Sequence, residues 1–213
     1  MNSRIEHTNL RVNATSADIV SLIDEAITHQ LRSVCVAPTF VLASKTILGA
    51  TDIRVVTVVG FPSGAHRCDT KVLEAMTAEQ DGADELDVVM DIGAFIGKEY
   101  LWVEIELAKI VRAVKIPVKV IVEEPLLSDT DLLSAYQIVE QSGAYCIKSG
   151  TGTQGPARLE TIALWSGMSD LKIKAAGGIR TAQQAQNFVI AGATYIGTSH
   201  GVAIMKEMHN ETD

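Results

Sequence analysis

Short runs of apolar and β-branched residues recur along the chain, with stretches of helical periodicity between them. The runs are Ser33–Val36, Arg54–Val59, Glu85–Val89, Val118–Val122, Tyr145–Lys148, Leu171–Lys174 and Thr194–Gly197. Strands this apolar, each followed by a crossover of helical length, belong to a parallel sheet covered by helices. Their starts, near 33, 54, 84, 117, 144, 171 and 194, lie 21 to 33 residues apart, one β/α unit each time. An eighth strand over Arg4–Asn9 closes the count, which predicts an α/β protein: a (β/α)8 TIM barrel forming a single domain over residues 1–213, with an N-terminal helix. The alternative is an open doubly wound sheet, but no Gly-x-Gly-x-x-Gly opens a helix after the first strand.

The intervening segments carry helix signals. Thr15 with Asp18 reads as a capping box, and Ile19, Leu22, Ile23, Ala26 and Ile27 share one face behind it. Similar faces are predicted for Val72, Leu73 and Met76, and for Val103, Leu107, Ile110, Val111 and Val114. Another comprises Leu132, Leu133, Tyr136 and Val139 behind the cap Ser128. Gly82-Ala83, Gly143-Ala144 and Gly192-Ala193 each lead into a strand, as expected where glycine supplies a left-handed residue just past a helix.

Composition narrows the function classes. With 47% hydrophobic and 21% charged residues over 213 positions, the chain can bury a core. A net charge of −8, without any Lys/Arg cluster longer than a pair, argues against nucleic acid as a partner. No apolar run approaches the roughly 20 residues of a membrane span, and the N-terminus lacks a signal-peptide pattern, so no membrane partner is expected. Cys35, Cys68 and Cys146 are scattered and odd in number, which points to a reducing cytoplasm and to no metal site.

Against this apolar pattern three charges stand out on separate strands. Lys148 and Lys174 each end a run, and Asp87 lies inside one. A charge turned into a barrel costs several kcal/mol unless paired, so each is either paired, turned to solvent at a strand end, or chemical. Period-2 alternation puts Lys172 on the face of Lys174, nearer the barrel floor or in solvent. Two buried lysines on neighbouring strands repel, which predicts a lowered amine pKa and a neutral, nucleophilic amine. The natural partner of such an amine is a carbonyl. The Schiff base that forms is an electron sink for breaking an adjacent C–C bond, and Asp87 would move protons, as in a class I aldolase. A phosphosugar isomerase using Asp87 and Glu123, with the lysines as electrostatic clamps, is a second reading.

Glycine-rich turns follow the later strands at Ser149–Thr153, Ala176–Thr181 and Gly197–Gly201. Bare N–H groups beside helix N-termini suit a phosphate, although glycines also simply permit tight turns. A phosphorylated small-molecule substrate is favoured.

The chain resembles the deoxyribose-phosphate aldolases over nearly its whole length. The likeness runs through Ile5-Glu6-His7-Thr8, Ser33–Val36, Val59-Gly60-Phe61-Pro62, Thr70-Lys71, Asp81–Asp87, Val118–Glu123, Ile147-Lys148 with Thr151-Gly152, Lys174–Thr181 and Ile196–Ser199. The resemblance implies a TIM barrel, no metal or organic cofactor, and reversible retro-aldol cleavage of 2-deoxy-D-ribose 5-phosphate to acetaldehyde and glyceraldehyde 3-phosphate. It assigns Lys148 as the Schiff-base lysine, Lys174 as the lysine that lowers its pKa, and Asp87 as the proton relay. It places Gly152, Gly177, Gly178, Arg180, Gly197 and Ser199 around the phosphate. It also sets Cys35 near the substrate, where a small buried apolar residue is an equal description. Arg180 suits phosphate contact or packing.

Several positions depart from the family pattern. Ser149-Gly150-Thr151-Gly152-Thr153 stands where Thr-Ser-Thr-Gly is usual, His200 replaces a second serine, Asp91 stands for Asn, and Glu124-Pro125 follows Glu123 where Thr is common. His200 either meets the phosphate or caps the last helix in solvent, while His7 is expected to order the barrel by hydrogen bonding. An aldolase of the same fold acting on another aldehyde pair, and a non-catalytic phosphosugar-binding barrel, are the alternatives these departures leave. A homodimer would be in keeping with such a barrel.

Overall fold

The computed structural model describes residues 1–210; residues 211–213 lie outside the described part. Eight parallel strands close into a barrel in sequence order. They are β1 (Ile5–Asn9), β2 (Ser33–Val36), β3 (Arg54–Val59), β4 (Glu85–Val89), β5 (Val118–Ile121), β6 (Cys146–Lys148), β7 (Lys172–Ala176) and β8 (Tyr195–Thr198). The predicted eighth strand is therefore β1, which pairs with both β2 and β8. Around the barrel lie α1 (Ser16–Thr28), α2 (Val41–Leu48), α3 (Cys68–Gln80), α4 (Ile92–Ile96), α5 (Tyr100–Ala113), α6 (Asp129–Gln141), α7 (Leu159–Ser166), α8 (Ala182–Ile190) and α9 (Gly201–Asn210). The N-terminal helix is α1, which follows β1; a single 3-10 turn, Asn2–Arg4, precedes the strand.

The local signals explain where helices start and stop. The Thr15–Asp18 capping box opens α1 and Ser128 caps α6. Gly82, Gly143 and Gly192 all have positive φ, at 98°, 80° and 110°, and turn the chain from helix to strand.

The two faces of the sheet differ. Outward residues such as Val34, Val55, Leu86, Val120, Ile147, Ile173 and Ile196 join the helices in one large apolar core. Inside the barrel the apolar part is small, with Cys35, Val56 and Val58 packed against Leu10 and Phe61.

Three helix faces differ from the periodicity. α3 buries Lys71, Ala75 and Ala78, whereas Leu73 and Met76 are exposed and Val72 is half-buried. Lys71 takes the inward position because its ammonium is satisfied there, donating to Glu106 at 2.9 Å and to the Val89 carbonyl at 3.0 Å. Ile27 and Leu133 sit at the edges of otherwise buried stripes and are exposed.

Candidate active site

Alternation along the strands sends a column of charged side chains down the barrel axis. Lys148 on β6 pairs in register with Lys174 on β7, and Asp87 on β4 with Lys119 on β5. Glu6 on β1 and Glu85, two residues before Asp87, complete the inward set; all six are buried. Asp87 Oδ2 accepts from Lys148 Nζ at 2.8 Å and from Lys174 Nζ at 2.7 Å. The two amines thus share one oxygen and lie no further apart than those contacts laid end to end.

The remaining valences of this cluster point to the floor. Lys119 Nζ donates to Asp87 Oδ1 at 3.0 Å and reaches Glu85 at 2.7 Å and Glu6 at 3.3 Å. Arg32 donates to Glu6 at 2.8 Å and also binds Glu85, with its guanidinium 4.0 Å from the centre of the Tyr195 ring. Lys174 additionally binds Glu6. Lys172, exposed below, donates to the Tyr145 hydroxyl at 2.7 Å.

These contacts fix the protonation states. Burial alone would raise the Asp87 carboxyl, but Lys119, Lys148 and Lys174 outweigh it and hold Asp87 well below the usual carboxylate range. Glu85 is held at about 2 against the same burial penalty, chiefly by Lys119 and Arg32. The Lys174 amine, expected as the charged partner of the lysine pair, is under opposing influences. Burial pulls it down, but Asp87 and Glu6 push it above its ordinary value, so this lysine stays charged. Glu6, on strand β1, is the carboxylate that the run pattern did not single out.

Above the cluster, a cavity of about 230 Å³ is lined by Lys148, Gly152, Gly177, Gly178, Arg180, Gly197 and Ser199, together with Thr8 and His200. The structure thus brings together seven of the predicted residues, with Asp87 and Lys174 directly beneath. Gly177 and Gly178 have φ of 118° and 71°, and Gly152 has 85°. Gly197 serves Lys174: a Cβ there would come within 2.9 Å of the lysine Cε. Arg180 and Ser199 are exposed at the rim, and Ser199 Oγ lies 3.1 Å from His200 Nδ1.

Cys35, like Asp87 and Lys174, does not line the mouth itself. It is buried inside the barrel with Val56 and Val58, and burial together with the Asp87 charge pushes its thiol up. A second cavity of about 570 Å³ adjoins the first through Thr8, Leu10, Thr151, Gly152 and Ser199 and reaches His7, whose Nε2 lies 2.8 Å from Glu25. Among the described residues no three His, Cys, Asp or Glu side chains meet in a way that could hold a metal ion.

Glu6, Glu85 and Lys119 are the cluster members the sequence argument passed over. For Lys119 the signal was present, a charge inside an apolar strand as Asp87 is, whereas Glu6 and Glu85 stand at strand starts.

Fold and cluster together define a TIM barrel of the kind a lysine-dependent aldolase uses, with amines and a carboxylate beneath a glycine-lined mouth. No family model matches the chain. It is 45% identical over 210 residues to the deoxyribose-phosphate aldolase of Caldicellulosiruptor saccharolyticus, covering 95% of this chain and 96% of that one. It is 43% identical to that of Streptococcus pneumoniae, covering 97% and 96%. The deoxyribose phosphate aldolase structure from Aeropyrum pernix, described as a unique tetramer, superposes with a TM-score of 0.92 at 30% identity, covering 99% and 91%. The chain belongs to the deoxyribose-phosphate aldolase family.

Proposed function

We propose that this protein is a class I aldolase that reversibly cleaves 2-deoxy-D-ribose 5-phosphate to acetaldehyde and glyceraldehyde 3-phosphate. The observation that carries the reading is the single Asp87 oxygen accepting from both Lys148 and Lys174 at the base of a glycine-lined mouth.

Lys148, the only one of the four buried lysines that lines the cavity among the described residues, is the nucleophile. Its neutral amine attacks the aldehyde carbon C1, and Asp87 relays the proton that leaves nitrogen and the one needed to expel water. The protonated Schiff base then draws electrons from the C2–C3 bond as the C3 hydroxyl gives up its proton. Glyceraldehyde 3-phosphate departs, and an enamine stays on Lys148. Protonation at C2 and hydrolysis release acetaldehyde and restore the amine. Lys174, its amine held charged by Asp87 and Glu6, keeps Asp87 in place and positive charge near the developing anion. The N–H groups of the glycine turns, with Arg180 and Ser199, receive the phosphate.

The test is borohydride trapping. With acetaldehyde and borohydride, wild type should gain a reduced two-carbon adduct at Lys148, seen by peptide mass, and the sugar phosphate should yield both aldehydes. Binding of the sugar phosphate without adduct or aldehyde release would show a non-catalytic barrel; an adduct without cleavage of this sugar would show another aldehyde pair.

Among the described residues no helix is long and apolar enough to cross a membrane. All three cysteines are free, in keeping with a reducing cytoplasm. Leu73, Leu101, Trp102 and Ile105 are exposed on α3 and α5, and support a homodimer, which mass measurement in solution would test.

A further inference from the structure

The segment joining β6 to α7 follows directly after Lys148 and supplies Thr151 and Gly152 to the mouth. We propose that Glu123 and Glu124, consecutive residues just past β5, are positioning residues that fix this segment as the phosphate-facing wall. They thereby set the preference for phosphorylated over unphosphorylated sugar, a proposal that rests on the aldolase reading above.

Glu123 is fully buried and has φ 52° and ψ 56°, a left-handed conformation that residues with a Cβ seldom adopt. That backbone directs its carboxylate at the start of the segment. Oε1 accepts from Thr151 N at 3.1 Å and Oε2 from Thr151 Oγ1 at 2.5 Å. Thr151 Oγ1 in turn accepts from Thr153 N at 3.1 Å. Gly150 makes this possible, because a Cβ there would lie 2.8 Å from Glu123 Oε1. With Thr151 on both oxygens, and absent from the linings of both cavities, Glu123 is not placed to act as the base an isomerase would need.

Glu124 holds the far end. It too is buried, and its Oε1 accepts from Arg158 N at 3.0 Å and from Arg158 Nε at 2.8 Å. Between these anchors the segment lies on the glycine turn of the mouth. Ala157 N donates to the Gly177 carbonyl at 3.1 Å, and a Cβ at Gly177 would come within 3.0 Å of the Gly155 carbonyl oxygen. A Cβ at Gly178 would stand 3.0 Å from Pro156 Cβ. Freed at either end, the segment would carry Thr151 and Gly152 away and leave Gly177 and Gly178 unsupported. Lys148 would remain tethered by its strand and by Asp87.

The experiment compares wild type, Glu123→Ala, Glu123→Gln and Glu124→Ala on 2-deoxyribose 5-phosphate and on 2-deoxyribose. The alanine variants should raise KM for the phosphorylated sugar roughly tenfold or more, the scale of losing one hydrogen bond to a charged phosphate. Their kcat/KM on the unphosphorylated sugar should change less than about threefold. Glu123→Gln, which keeps an acceptor for Thr151 N, should recover most of the KM. Equal proportional losses on both sugars, or an unchanged KM, would overturn the proposal. Should Glu123→Ala not fold, Glu124→Ala bears the same expectation from the other end. A wild type that neither forms the borohydride adduct nor cleaves the sugar phosphate refutes the aldolase reading; an active wild type with unselective variants refutes only the role given to the two glutamates.

Discussion

Replacing Lys119 by Met removes a buried ammonium 2.7 Å from Glu85, 3.0 Å from Asp87 and 3.3 Å from Glu6, while nearly preserving side-chain length. Taking one partner from a buried ionic cluster costs about 3–5 kcal/mol, because the remaining charges are left without compensation. Arg32 still holds Glu6 and Glu85, so the lower end of that range applies here. In a domain of this size each kcal/mol lowers Tm by roughly 2–4 °C, which gives a fall of about 6–12 °C at pH 7. The pH dependence has a definite sign. Asp87, held low in the fold by its lysines, contributes stability that is present above the ordinary carboxylate pKa and is lost as pH falls through its folded value. Without Lys119 its carboxyl titrates higher, so the gap between wild type and variant should narrow on going from pH 7 to pH 4. Thermal unfolding followed by circular dichroism at several pH values measures both quantities. A Tm loss below about 3 °C, or a gap that widens on acidification, would refute the argument that Lys119 neutralises the floor.

Three further outcomes follow from the geometry. Gly197→Ala pushes a methyl to within 2.9 Å of Lys174 Cε and 3.0 Å of Ala176 Cβ, so kcat should fall at least about tenfold with about 1–3 kcal/mol of stability lost; steady-state kinetics beside urea unfolding would check this. Arg180→Ala should raise KM for the phosphorylated sugar roughly tenfold with little change in kcat, and an unchanged KM would assign Arg180 to the rim alone. Thr15→Ala removes the capping box of α1 and should cost about 1 kcal/mol in urea unfolding without affecting activity, since it lies outside the cluster and the mouth.

The barrel was legible because a parallel sheet hidden on both faces must be written in apolar runs, and the helix-ending glycines punctuate them. Lys148, Lys174 and Asp87 were legible as charges where that grammar forbids them. Lys119, flanked by Val118 and Val120, breaks the same rule and was read as part of a strand. Glu6 and Glu85 escaped in the same way at strand starts, where a charge is ordinarily solvated. With Asp87, Glu6 supplies the negative charge that keeps Lys174 protonated beside Lys148. On α3 the failure was of another kind. Periodicity seeks grease on the inner face, and an internal Lys71–Glu106 pair reverses which positions point inward. Cys35 packs against Val56 and Val58 and feels the charges of Asp87, Lys174 and Lys148, as a small inward side chain on β2 beneath the mouth would.

The sheet of this protein separates two duties that most globular proteins mix. Its outer jacket of valines, isoleucines and leucines supplies the cohesion, whereas its axis is a pillar of salt whose members neutralise one another. A change of reactivity written on the axis therefore leaves the jacket's grip untouched so long as the count of plus and minus is preserved, which makes the barrel a chassis in which the tool can be exchanged without dismantling the frame.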